Sequence, residues 1–230
     1  NGIDFNQFTH QNPRPLAKEL GLDPDRQRIL LHPHRPEPGK GLSETIHVAA
    51  RLVHKFGVSN LRVLVPEWIE GMVSGGESAY HRQMLRLMDD LGVRDHFNFI
   101  PWLPNDRMPE LYSLGEATLC LGNIVEAFGN VAYESLACGT PSVVARVGVH
   151  RSLLPDDLIS KIHPGDTDAA VRAVLEILNK RSKVNPKTLS FLQKHMDFNQ
   201  QIESYLEIIE NCSKRERLEF LMSEPVKCKA

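Results

Sequence analysis

Two stretches of the chain concentrate side chains suited to holding an anion. The first, His32-Pro33-His34-Arg35-Pro36-Glu37-Pro38-Gly39-Lys40-Gly41, puts two cations and two glycines into one loop. A guanidinium gives forked hydrogen bonds and an ammonium a compact charge, so Arg35 and Lys40 together suit a diphosphate. Taken alone, this loop reads equally well as a Pro-rich solvated turn with incidental charges. It lacks the upstream glycine of the Walker loop and the G-x-G-x-x-G of the dinucleotide fingerprint, which disfavours a simple nucleotidase or dehydrogenase. The second stretch, Asn123 to Glu134, holds two carboxylates, Glu126 and Glu134, eight residues apart. A helix starting there offers an anion the backbone N–H groups of Gly129, Asn130 and Val131, while the two glutamates can hold hydroxyls at opposite ends of one ligand. The plain alternative is a surface loop glutamate and a solvated helix glutamate. His32 and His34 form a metal-like pair, but no third ligand of comparable clarity accompanies them.

Such loops need a scaffold, and the pattern around them supplies one. Short apolar runs at Ile29 to Leu31, Leu61 to Val65, His96 to Ile100, Ala117 to Leu121, Ser142 to Ala145 and Leu158 to His163 read as six strands. The apolar character of Val143-Val144 and Leu119-Cys120-Leu121 is continuous rather than alternating, as in parallel strands buried on both faces. Helical runs fall between them. Leu42 to Phe56 carries Ile46, Ala49, Ala50, Val53 and Phe56 on one stripe and ends at Gly57; Glu77 to Leu91 ends at Gly92, and Asn130 to Cys138 at Gly139. Asp166 caps a helix over Thr167 to Asn179. The chain therefore predicts an α/β fold, a Rossmann-like doubly wound parallel sheet of about six strands. A polar stretch, Lys180 to Lys187, then leads to helices only. Asp197 caps one whose Ile202, Tyr205, Leu206 and Ile209 share a face, and fraying is expected from Arg217 to Ala230. The expected division is a domain over 1–182, including a segment 1–12 ahead of the sheet, and carboxy-terminal helices and tail over 183–230.

Composition narrows the class of function. At 230 residues the chain amounts to about one and a half domains. With 27 Lys and Arg against 29 Asp and Glu, its net charge of −2 leaves no basic excess for a nucleic-acid backbone or an acidic membrane. No apolar run approaches the ~20 residues of a membrane-spanning helix, so a cytoplasmic location is expected. The four cysteines, Cys120, Cys138, Cys212 and Cys228, form no CxxC pair and read as reduced thiols. The opening Asn1-Gly2-Ile3-Asp4, without Met, reads as a piece of something longer.

The run Glu126 to Val144 resembles the E-x7-E and A-x-G-x-P-V-V signature of retaining glycosyltransferases of group 1, which have the GT-B fold. Three more segments resemble that family in the right order. These are Asn1 to Asp4 (the N-G-V-D hinge), Arg35 to Gly41 (R-x4-K-G) and Arg107 to Leu119 (L-x-x-x-Y-x-x-A-D). The likeness covers about residues 1 to 210. It departs at His34, where the family has Gly, at Leu121-Gly122-Asn123 in place of P-S, and at Val147 to Ser152 in place of G-G-x-x-E.

The resemblance implies that this is the carboxy-terminal, donor-binding half of a twin-domain enzyme, with the acceptor domain absent from the chain. Arg35 and Lys40 would neutralise the diphosphate of a UDP- or GDP-sugar, Glu126 would meet hydroxyls of the transferred sugar, and Glu134 would hold the ribose. Backbone N–H groups from Phe128, Gly129, Asn130 and Val131 would reach sugar and phosphate, and the loop with Trp102 and Leu103 would lie near the base. Trp68 and Trp102 are otherwise ordinary core or rim aromatics. No cofactor and no metal are implied. The expected partners are the donor and a carbohydrate, lipid or small-molecule acceptor held by the missing domain, which could place the protein at the inner face of a membrane. A non-catalytic nucleotide-sugar-binding or regulatory subunit of the same fold is the alternative. An epimerase or phosphorylase ranks last, since no additional base or pyridoxal-bearing lysine stands out.

Overall fold

The computed structural model describes residues 2–67, 79–123 and 128–223, with side chains as far as 212. Glu126 and Trp68 lie outside the described residues, as do the expected helix start at Glu77 and the end of the tail. The elements run α1 (Arg14–Glu19), β1 (Arg28–Leu31), α2 (Leu42–His54), β2 (Leu61–Pro66), α3 (Ala79–Asp90), β3 (Phe97–Ile100) and α4 (Met108–Leu114). They continue with β4 (Ala117–Cys120), α5 (Asn130–Ala137), β5 (Ser142–Ala145), β6 (Ser160–Ile162), α6 (Thr167–Lys180), α7 (Pro186–Met196) and α8 (Phe198–Ser223). The six strands make one parallel sheet in the order β3-β2-β1-β4-β5-β6. The predicted doubly wound sheet is thus present, and its order reverses between β1 and β4.

The continuous apolar strands are used on both sides. Leu30, Val63, Leu119 and Val143 face a core built with α2, α3 and α6, through Ile46, Met88 and Val174. Ile29, Leu31, Leu64, Cys120 and Val144 face the opposite core, built with α1, α4, α5 and α7 through Leu16, Tyr112, Leu136 and Leu192. Neighbouring residues on a strand point to opposite faces, so a run such as Ile29-Leu30-Leu31 must be apolar throughout.

Several local expectations need correction. Phe56 is not on the buried stripe of α2: the helix ends at His54, and Phe56, past its end, is 46% exposed while Leu52 is fully buried. Of the stretch from Arg217 to Ala230 where fraying is expected, the structure describes helix to Ser223, and 224–230 lie outside the described residues. Two helices, α1 and α4, had not been expected; each carries a proline in its first turn, Pro15 and Pro109, where no N–H is needed. The Asp166 cap is present, its carboxylate accepting from the Ala169 N–H at 2.9 Å.

The start of the chain is fastened to the start of α8. The Ile3 N–H donates to the Met196 carbonyl at 2.6 Å, the Phe198 N–H donates to the Ile3 carbonyl at 3.1 Å, and the Gly2 N–H donates to the Gln201 side chain. Helix α7 buries Leu192 and Met196 in the same core as α5, and the Thr188 hydroxyl donates to the Leu158 carbonyl at 3.0 Å. Beyond Gln201, α8 is exposed on all its described sides: Tyr205, Leu206, Ile208 and Ile209 are each more than half exposed. No described helix is long and apolar enough to cross a membrane.

Candidate functional site

The loop after β1 and the loop after β4 leave adjacent strands at the point where the strand order reverses, and they meet backbone to backbone. The Asn123 N–H donates to the Gly39 carbonyl at 3.0 Å. Gly41 caps α2 in the left-handed region, φ +87°, and a Cβ there would stand 2.5 Å from the Gly122 nitrogen. Only glycine accepts both that conformation and that approach.

Beside this crossing lies a cleft of about 320 Å3, lined by His34, Lys40, Cys120, Gly122, the stretch Phe128 to Val131, Val147 and His150. It brings Lys40 against the amino terminus of α5. Gly129 caps that helix at φ +71° and, being glycine, brings no side chain to its first turn. The arrangement therefore offers an anion one ammonium and the positive end of a helix. The Asn130 Oδ1 is buried in the same place without a hydrogen-bond partner among the described residues.

The sequence-predicted residues divide three ways. Lys40, Phe128, Gly129, Asn130 and Val131 are brought together in the cleft. Arg35 is two-thirds exposed and pairs with Glu37 at 3.7 Å, so it stands outside the described lining. Trp102 and Leu103 follow β3, the edge strand, which β2 separates from β1; Trp102 donates from Nε1 to the Glu67 carbonyl at 2.8 Å. Glu134, on the second turn of α5, is half-buried and also outside the lining.

Glu134 accepts a hydrogen bond from the Tyr112 hydroxyl at 2.8 Å. Burial raises its carboxyl above the ordinary value, and the Tyr112 hydrogen bond pulls partly the other way. The Cys138 thiol is pushed up to about 12 by burial and by Glu134. A carboxyl whose folded pKa is raised holds its proton more tightly in the native state. Its stabilising contribution is present below the unfolded value, about 4.5, and is lost as pH rises through the folded pKa. Glu134→Gln keeps an acceptor for Tyr112 without that penalty. The variant is expected to raise the Tm by a few degrees near neutral pH, with the gain gone by about pH 4, as read by melting curves across pH.

Sequence reading passed over His150 as a site residue. It sits on a short 3-10 turn, Gly148–Arg151, directly after β5, where strand-end reasoning would have pointed to it. Its Nδ1 shares a 2.8 Å hydrogen bond with the Tyr133 hydroxyl, and its ring lies where a Cβ on Gly129 would go. The segment after this turn is pinned by Lys161, whose buried Nζ donates to the Arg151 and Leu154 carbonyls and pairs with Asp156 at 2.9 Å. Hydrogen bonds from Arg146 and Lys161 hold the Asp156 carboxyl at about 2.

Behind the first loop, His32 is fully buried with its Nδ1 3.1 Å from the Thr45 hydroxyl, and its ring meets that of His34 at 5.1 Å between centroids. Among the described residues no three His, Cys, Asp or Glu side chains are grouped to hold a metal ion.

Comparison with known proteins places this geometry in context. The family model described as "Glycosyl transferases group 1" matches residues 15–190. A D-inositol 3-phosphate glycosyltransferase of Catenulispora acidiphila is 30% identical over 179 residues, 76% of this chain and 41% of the relative. The chain spans about two fifths of the length of such relatives. Among solved structures, Anabaena HepE in complex with UDP-glucose superposes with a TM-score of 0.75 at 20% identity, over 90% of this chain and 56% of that one. The C-terminal domain of a group 1 family glycosyl transferase, LpcC of Francisella tularensis, superposes with a TM-score of 0.70 at 15% identity, over 86% of this chain and 100% of that one.

Proposed function

Because the chain belongs to the group 1 glycosyl transferases, we propose that it is the donor-binding half of a retaining enzyme that moves a sugar from a UDP- or GDP-sugar to an acceptor. The observation that carries this reading is the meeting of Lys40 with the glycine-capped amino terminus of α5 at the strand-order reversal. The difficult step in such a transfer is departure of a nucleoside diphosphate from the anomeric carbon. A fixed ammonium and a helix-end dipole stabilise the charge that builds on that leaving group without reorganising. On this reading no metal is needed.

In the same reading Lys40 and the N–H groups of Gly129, Asn130 and Val131 take the diphosphate, with Arg35 reaching in from the rim. Glu134 accepts from ribose hydroxyls, and Glu126 meets the transferred sugar. The loop of Trp102 and Leu103 bounds the base side. The HepE complex with UDP-glucose and the glycosyltransferase names of the curated relatives support a nucleotide-sugar donor. The acceptor is held by the part of a full-length protein that these residues do not include, and transfer needs both.

The test is a thermal-shift titration of this chain with UDP, GDP and ADP. A ligand at 100 times its Kd adds about 2.7 kcal/mol to the folded state. A rise for one nucleotide, selective over the others, is expected. Melting curves unmoved by all three would overturn the donor-site reading.

A further inference from the structure

His34 and Lys40 line the same cleft, one from each end of the loop after β1. We propose that His34 is a pH-dependent contact to the donor's diphosphate, its protonated imidazole adding a second cation beside Lys40. The inference rests on the donor-site reading and adds to it a residue and a proton.

The neighbouring histidine shows why the charge falls to His34. The Thr45 hydroxyl donates its hydrogen to the Gly41 carbonyl at 3.0 Å. The His32 Nδ1 shares a hydrogen bond with that hydroxyl at 3.1 Å. The His32 Nε2 is buried without a hydrogen-bond partner among the described residues. Burial, with His34 adding to it, holds the His32 pKa well below the ordinary value. His32 stays neutral and serves as a wall, its ring 5.1 Å from that of His34.

His34 is half-buried and lines the cleft; among the described residues the titratable groups beside it are His32, Lys40, Cys120 and, on the turn after β5, His150. A bound diphosphate favours a second positive charge beside the Lys40 ammonium. Donor binding then takes up a proton. The added affinity is present below the pKa of His34 in the free protein and is lost as pH rises through its pKa in the complex. The titrations therefore run from about pH 5.5 to about 8, the span in which an imidazole can change its charge.

The experiment uses UDP-glucose, GDP-mannose and ADP-glucose in turn, since both phosphates of each are diesters with no proton to lose in this range. Calorimetric titration in two buffers of different ionisation enthalpy reads proton uptake directly on the unmodified chain. Expected are uptake of a fraction of a proton and affinity on the order of tenfold higher at the acid end, the size of one charge-assisted hydrogen bond. His34→Gln should still bind, with the pH dependence and the proton uptake gone; His34→Asn replaces it if the glutamine variant melts early. His150→Gln should keep the pH dependence. Binding without proton uptake, an unchanged slope in the His34 variants, or a slope lost only in His150→Gln would each overturn the proposal. Failure of all three sugars to bind at any pH would overturn the donor-site reading and this inference with it.

Discussion

Alanine at Gly41 is expected to lower the Tm by roughly 10 °C and to abolish nucleotide binding. Two costs add. The left-handed backbone at φ +87° disfavours any side chain by about 1–2 kcal/mol. The new methyl would also sit 2.5 Å from the Gly122 nitrogen and 2.6 Å from the Leu121 carbonyl carbon. Both neighbours are backbone, so relief requires the two loops to part, an overpacking cost of about 1–3 kcal/mol. At 2–4 °C per kcal/mol for a chain of this size, the sum corresponds to the stated shift. Gly57→Ala is the control: Gly57 has φ +69° with nothing within 4 Å of its would-be Cβ, so it carries the first cost alone. Calorimetric melting of the two variants separates the conformational term from the contact. Equal shifts would mean that the loops yield freely, and the backbone crossing would lose its place in the argument.

Lys40→Ala is expected to weaken binding of the preferred nucleotide diphosphate by about 10- to 100-fold, the range for one hydrogen bond to a charged group. Lys40 is half-buried and follows the turn in which its N–H donates to the Glu37 carbonyl at 3.2 Å, a bond the substitution leaves in place. Lys40→Arg restores the charge with a planar fork in place of a compact ammonium and should recover part of the loss. Titration calorimetry against the unmodified chain decides the matter, and an unchanged Kd in Lys40→Ala would remove Lys40 from the site.

How much could be read from residues alone depended on how far each feature is local. The central strands were legible because a parallel strand covered on both faces is apolar on successive residues, as Val143-Val144-Ala145 are in β5. The glycine-rich loop with Lys40 and the helix start at Gly129 were legible for the same reason, since chemistry and conformation lie in adjacent residues. The arrangement around them was not. Which loops share a cleft follows from strand order, and nothing in the sequence near Trp102 reveals that β2 stands between β3 and β1. His150 enters through β5, the neighbour of β4, and no short-range signal links it to Gly129. Helices α1 and α4 are six and seven residues long, too short for a periodic stripe, and their prolines pass for loop punctuation. Phe56 shows the converse: helical spacing extended the stripe past the last turn that tertiary packing supports.

The fastening of Ile3 to Met196 and Phe198 has a consequence for hydrogen exchange. The first turn of α8 is tied to the body through these bonds and through Gln201, but from Glu203 to Cys212 every described side chain is exposed. A helix without a buried face holds together by its own i to i−4 bonds, which are marginal in water. Amides along 203–212 should therefore exchange through local opening at rates insensitive to added denaturant. Those of β1 and β4, sealed between two cores, should exchange only when the whole sheet unfolds. The protection pattern should change abruptly within one turn of Gln201, where the tether ends.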